Sequence, residues 1–171
     1  MGGLKYCFGA LLFAAVLFNA ALALPPKGND EAEIRTLEQN LVAAAKAKNS
    51  EKVMACYAPG EELFVFDVVP PRQYASHDAY KKDWEDLFAQ FQGPMNIEIN
   101  DLHVTTNGSD LAFSRSIQHV TGTFTDGKPL DLIVRVTDVY QKKVSQWLII
   151  HEHVSVPVDI KSGQADLMSK E

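Results

Sequence analysis

Arg115, His119 and Asp138 fall in two long strand-like stretches joined by Asp126-Gly127, and how those stretches meet decides what the three can do. An Asp-Gly dipeptide between alternating apolar runs is a strong two-residue hairpin signal. With such a loop Thr125 faces Lys128, and Arg115 lies opposite Asp138. The same register sets Phe113 against Tyr140, Ile117 against Val136 and His119 against Val134. Residues paired across strands share a face, so an otherwise apolar face should carry an Arg–Asp pair with His119 nearby. Two readings follow: a structural ion pair closing the core, or a polar clamp at the mouth of a ligand pocket.

The last strand offers a second constellation. His151-x-His153 puts two imidazoles on one side of a strand, a spacing that suits Zn²⁺ or Fe²⁺. A three-residue loop at Lys143-Val144-Ser145 sets Glu152 on the Arg115 face and the histidines with Arg135 and Thr137. A register one residue different reverses the two sides. On the first register neither His119 nor Glu152 converges on the two histidines, so no metal and no cofactor is expected.

These groups need elements to hold them. Asp30-x-x-Glu33 has the form of a capping box, and Ile34, Leu37, Leu41, Ala44 and Ala45 recur at helical spacing, predicting a helix from Asp30 to about Lys48. A second helix should run from Glu51 to Tyr57, and a strand from Leu63 to Val69. Ser76 caps a third helix whose stripe of Tyr80, Trp84, Leu87, Phe88 and Phe91 reads as core. From Met95 the texture turns to strands, and the alternation slips at Asn100-Asp101, the mark of a β-bulge. Asn107-Gly108, Asp126-Gly127 and a weaker turn over 142–146 then separate strands at about 110–125, 128–142 and 147–157. Helices followed by a bent antiparallel meander predict an α+β fold, with the three helices laid in the concave side of the sheet.

Composition bounds the rest. The chain has 171 residues, 46% of them apolar, with a formal net charge of −6. Residues 1–23 hold one charge, Lys5, an apolar run from Phe8 to Phe18, and Ala21-Leu22-Ala23 as a cleavage site, so they read as a secretory signal peptide. Removing 23 of the 171 residues leaves 148, with 15 basic against 22 acidic side chains. A leader at 24–29, one domain at 30–157 and a tail at 158–171 use up that length. The protein is therefore expected to be exported, to the periplasm or outside the cell, with no membrane span after cleavage. Cys7 leaves with the signal and Cys56 stays as a buried lone thiol. The acidic balance argues against nucleic acid, because the basic doublets Lys81-Lys82 and Lys142-Lys143 stand isolated.

The element order, the turn Asp126-Gly127-Lys128-Pro129 and the hairpin Thr137-Asp138-Val139-Tyr140 … Trp147-Leu148-Ile149-Ile150-His151-Glu152-His153-Val154-Ser155-Val156-Pro157 resemble the SnoaL-like, nuclear-transport-factor-2-like cone proteins over about 30–157. That superfamily includes ketosteroid isomerases and polyketide cyclases, and the final hairpin with the turn before it is similar to the subgroup related to the calcium/calmodulin-dependent kinase II association domain. The resemblance implies a cystatin-like cone with an internal pocket. It matches Arg115 to a pocket arginine, and it sets Asp138 where association domains have a second arginine and cyclases an acid. It aligns Asp67 with the general base of the isomerases and leaves Tyr57 as the nearest oxyanion tyrosine.

Two functions are then in view. One is a binding cone for a small apolar or amphipathic ligand, lined by Tyr57, Phe66, Trp84, Phe88, Phe113, Ile117 and Glu152 and anchored by Arg115, His119 and Asp138. The other is isomerase- or cyclase-type proton transfer, with Asp67 or Asp138 as base and His119 or Tyr57 bonding the enolate. The outer sheet face, with Arg135, Thr137, Trp147, His151, His153 and Ser155, is expected to pair two copies into a homodimer.

Overall fold

The computed structural model describes residues 29–108 and 110–169, so the expected signal peptide and most of the leader lie outside the described residues. Three helices, α1 (Asp30–Lys46), α2 (Ser50–Met54) and α3 (His77–Ala89), precede the meander. A short strand, β1 (Phe64–Phe66), lies between α2 and α3. The long strands are β2 (Asn96–Thr106), β3 (Leu111–Thr123), β4 (Pro129–Lys143) and β5 (Gln146–Ser155). They form one curved sheet in the order β1-β5-β4-β3-β2, with β1 parallel to β5 and the other pairs antiparallel. This is the expected α+β architecture with one strand added in parallel.

Local chemistry explains most of the boundaries. The Asn49 side chain accepts from Lys52 N (3.0 Å) to start α2, and Ser76 Oγ accepts from Ala79 N (3.2 Å) to start α3. The capping box expected at Asp30 does not form. Asp30 instead accepts from Lys142 Nζ (2.8 Å) and from Trp147 Nε1 (3.3 Å), tying α1 to the far hairpin. In β2 the register shifts between Asn100 and His103, where Asp101 takes φ +51°, so the bulge forms where the alternation slips.

The turns overturn two expectations. Phe124 N donates to the Lys128 carbonyl (2.8 Å), so the β3–β4 loop has three residues, Thr125, Asp126 and Gly127. Only Gly127 takes a positive φ (+84°) there, whereas a two-residue type I′ turn requires it at both positions. The extra residue slips the register by one: Arg115 faces Thr137, and Ser114 faces Asp138. A slip of one moves every side chain to the other face. Phe113, Arg115, Ile117 and His119 therefore lie on the outer face, and the Arg115–Asp138 pair does not exist.

The β4–β5 turn differs in the other direction. It is a two-residue loop, Val144 and Ser145, both at positive φ, between paired Lys143 and Gln146. A bulge between Val139 and Tyr140 then re-phases the hairpin. Glu152 faces Asp138 on the inner side and His153 faces Thr137 on the outer side, while Trp147 and Ile149 turn inward and are buried. Trp147 is therefore a core residue, not part of the outer face.

The tail does not trail away. β4 outruns β5, and the Ile133 N–H exposed beyond the end of β5 is met by the Leu167 carbonyl (2.8 Å) after a turn built on Asp159. The core lies between α1, α3 and the concave face. At its edge Phe91 stacks on Phe124 (4.8 Å between centroids) over Gly122, where a Cβ would come 2.6 Å from the Phe91 ring.

Candidate functional site

A cavity of about 400 Å³ opens between the concave face, α1, α3 and the segment after β1. Its sheet wall is mostly aliphatic, with Val120, Leu132, Val134, Val136 and Val154. The helix wall brings Tyr80, Asp83, Trp84 and Leu87 from α3 and Glu38 and Leu41 from α1. Asp67 stands on the third side, followed by Val68, Val69 and Pro70, and Glu152 reaches in from β5. A larger groove of about 670 Å³ runs between α1 and the β4–β5 turn, but Ala and Asn side chains dominate it and its charges are Glu33 and Lys52.

Acids gather under the cavity without cations. Glu152 accepts from Tyr57 Oη (2.8 Å) and Tyr80 Oη (2.5 Å). Glu38 accepts from Tyr140 Oη (2.7 Å), which also bonds Ser114 Oγ (2.7 Å). Asp138, directly across from Glu152, is 2% exposed. No ion pair joins Glu38, Asp67, Asp83, Asp138 or Glu152 to a basic side chain among the described residues, and no Lys, Arg or His lines the cavity. Removed from water, such carboxyls favour the protonated form.

Burial raises Asp138 well above the usual carboxylate range, and Glu38 and Glu152 push it further. Burial also raises Glu38 and Glu152, against the pull of their tyrosine donors. The hydroxyls of Tyr57 and Tyr80 rise as well, through burial first and then the Glu152 charge, so both stay neutral donors.

Asp67 differs from the rest. Burial first, and then the Glu152 charge, bring its carboxyl up to about 7, although the Val68 N–H donates to Oδ1 at 2.5 Å. A carboxyl that titrates near neutrality can give or take a proton under ordinary conditions. Asp83, also on the wall, is raised by burial while it accepts from Tyr74 Oη at 2.6 Å. Among the described residues, two buried side-chain atoms have no hydrogen-bond partner: Trp84 Nε1 and Asp138 Oδ1.

The residues singled out in the sequence thus part company. Asp67, Trp84 and Glu152 line the cavity, Tyr57 holds Glu152 from behind, and Asp138 lies beneath it. Phe88 is buried against Trp84 (5.3 Å) and does not line the cavity. Phe66, Phe113, Arg115, Ile117 and His119 are on the outer face. There Arg115 Nη1 meets Asp101 (3.4 Å) and His119 meets Asp131 (2.7 Å). Arg135 and Thr137 are exposed on that face too. His151 Nδ1 donates to the Phe64 carbonyl (2.7 Å), His153 packs edge-on to Phe66 (5.6 Å), and Ser155 faces Arg135. Among the described residues no group of three His, Cys, Asp or Glu side chains is placed to hold a metal ion.

Sequence reasoning missed Glu38, Tyr80 and Tyr140. Glu38 had a signal: it is an acid on the same helix stripe as Ile34, Leu37 and Leu41. Tyr80 and Tyr140 read as core and are core, but their hydroxyls carry the network.

A family model for the SnoaL-like domain matches residues 34–159. The solved structure of a nuclear-transport-factor-2-like protein of unknown function from Pseudomonas putida KT2440 superposes with a TM-score of 0.74 at 28% identity, covering 83% of this chain and 96% of that one. A candidate calcium/calmodulin-dependent protein kinase II association domain from Xanthomonas campestris gives 0.67 at 28%, over 81% and 94%. At 17% identity, a candidate scytalone dehydratase from Novosphingobium aromaticivorans DSM 12444 shares the fold, with a TM-score of 0.67 over 83% and 95%. No curated protein matches the chain.

Proposed function

Because the chain belongs to the SnoaL-like domain family, whose fold can bind small molecules or act as an enzyme, we propose that its cavity takes a small apolar or amphipathic molecule and that Asp67 moves a proton on it. The observation that carries this reading is a carboxyl titrating near 7 on the wall of an otherwise mostly aliphatic cavity. A base buried this way is poised to accept a proton at neutral pH and to return it. Trp84, on the cavity wall, has no acceptor for its Nε1–H among the described residues, which supports a ligand oxygen nearby. Asp138 is the weaker candidate base, since it lies below the lining and is held protonated more firmly.

The test needs no knowledge of the natural substrate. 2-Tetralone is a compact neutral ketone with acidic α-hydrogens, and their exchange for deuterium is followed by NMR. The protein should accelerate exchange above the buffer rate, with a rise in rate through pH 7 as Asp67 ionises. Asp67→Asn should abolish the acceleration. Exchange at the buffer rate with wild-type protein, or full acceleration by the variant, would leave a binding cone without this chemistry.

Two further features belong to the same reading. Residues 1–23 support export, and sequencing of the secreted product should find Leu24 as its first residue. The outer sheet face supports pairing of two copies. Phe66, Phe113 and Ile117 there are 37%, 47% and 37% exposed, beside Arg115, Arg135, His151 and His153. Sedimentation should give a dimer that Phe113→Asp disperses, and a wild-type monomer at micromolar concentration would refute pairing.

A further inference from the structure

We propose that Trp84 anchors the ligand of this cavity: its indole N–H donates to an uncharged oxygen, as a carbonyl presents. The inference rests on the cavity being a small-molecule site, and it names the residue that holds the ligand and the polar group held. Trp84 lines the cavity and is 7% exposed. Among the described residues its Nε1–H has no acceptor. A buried N–H left unpaired costs more than a typical hydrogen bond returns, so such a donor in a ligand cavity points to an acceptor that arrives with the ligand.

The other polar side chains on the wall are already engaged. Tyr80 Oη donates to Glu152, which also accepts from Tyr57 Oη. Asp67 accepts from the Val68 N–H, Asp83 from Tyr74 Oη and Glu38 from Tyr140 Oη. Gln90 donates to the Asp86 carbonyl (3.3 Å) and Gln118 to Ser116 Oγ (3.3 Å). The indole is also held in place. Tyr80 meets it edge to face at 6.1 Å and Phe88 packs on it at 5.3 Å, so turning toward another acceptor would give up both contacts.

The charge of the missing acceptor follows from its surroundings. Glu38, Asp67, Asp83 and Glu152 share the wall with Trp84, and no Lys, Arg or His does. A carboxylate brought to Trp84 would sit unpaired among acids, away from water. An ammonium would bring no acceptor and leave the N–H as it is. A carbonyl oxygen accepts without donating and carries no charge, so it meets the one open donor and asks nothing of the acids. The wall thus selects apolar ketones, esters or lactones over the corresponding acids.

The chain has two tryptophans, so its two indole N–H signals make the test direct. Trp147 Nε1 donates to Asp30 (3.3 Å) outside the cavity lining and serves as the reference. The probe is 4-tert-butylcyclohexanone, which has no aromatic ring to disturb the spectrum. In proton–nitrogen spectra of the labelled protein it should move the Trp84 signal, identified by its contacts with Tyr80 and Phe88, downfield and leave that of Trp147 in place. In calorimetry at neutral pH, 4-tert-butylcyclohexanecarboxylate should bind at least about tenfold more weakly than the ketone. Trp84→Phe, which keeps a ring without the donor, should weaken the ketone about tenfold, the worth of one buried hydrogen bond. The wild-type spectra and the ligand comparison stand even if that variant does not fold. Ketone binding with the Trp84 signal unmoved would overturn the anchor, and carboxylate binding as tight as the ketone's would overturn the charge assignment; either leaves the cavity and Asp67 as proposed above. If neither compound binds at millimolar concentration, the small-molecule cavity falls with the anchor.

Discussion

Asp67→Asn should make the protein more stable, and by an amount that depends on pH. The Asp67 carboxyl titrates at about 7 in the fold against an ordinary 3.8 in an unfolded chain. Raising an acid's pKa means that folding disfavours its ionised form. Below pH 3.8 both states hold the proton and the residue contributes nothing. Between 3.8 and 7 the unfolded chain gives up its proton first, so stability falls as pH rises. Above 7 the cost levels off at about 4 kcal/mol, from roughly 1.4 kcal/mol per pH unit over the shift. Asparagine never ionises, and its amide oxygen can still accept from the Val68 N–H. The gain from the substitution should be about 0.6 kcal/mol at pH 4, about 3 at pH 6 and about 4 at pH 8, by the same relation. Urea melts of both proteins at those three pH values read it directly, with an unchanged m-value as the control for two-state unfolding. A gain that is flat with pH, or a loss at pH 8, would refute the claim that Asp67 is held near neutrality by burial and by Glu152. A gain that grows with pH while proton exchange is lost would show stability given up for a working base.

Other predictions follow from single contacts. Gly122→Ala should cost about 1–3 kcal/mol in thermal melts, because its Cβ would enter the buried Phe91 ring, itself fixed by stacking on Phe124; an unchanged melting temperature would mean that stack is loose. Val144→Asn with Ser145→Gly should stabilise by about 1 kcal/mol, since a β-branched residue at φ +52° is poorly suited and Asn-Gly is the preferred type I′ pair; no gain would argue against the two-residue turn. Arg115→Ala should shift stability by less than about 0.5 kcal/mol, as expected for a surface side chain 60% exposed in an exposed ion pair. A loss of several kcal/mol would restore the Arg115–Asp138 pairing that the observed register removes.

The order of elements was legible because its signals are local. Ser76 and Asn49 each cap the helix they precede, and the slip in alternation at Asn100-Asp101 marks a bulge. Register was not legible, because it turns on one residue of loop length. Asp126-Gly127 suits a two-residue type I′ loop and, with Thr125 added, a three-residue loop carrying its one positive φ on Gly127. Hydropathy then favoured the wrong face. Phe113 and Ile117 are more apolar than Ser114, Ser116 and Gln118, yet they stand on the outer face. The small polar residues go inward because Ser114 has a partner there, the hydroxyl of Tyr140. Side-chain hydrogen bonds between distant segments outweighed the alternation, and they leave no periodic trace in the sequence.

That single slip also changes the chemistry of the cone. Had Arg115 faced Asp138, the guanidinium would have fixed the buried acid in its ionised form, and the site would be a salt-bridged clamp with no proton to move. With Arg115 outside, the donors left to Glu38 and Glu152 are hydroxyls of tyrosines, which are neutral and stay so. A hydroxyl can donate to a carboxylate or accept from a carboxylic acid, so it satisfies either protonation state without choosing between them. The acids under the cavity can therefore gain or lose a proton at little cost in hydrogen bonding. Burial first, and the Glu152 charge next, keep Asp67 near neutrality, so the base that lines the cavity depends on an acid held by two tyrosines and not by a guanidinium.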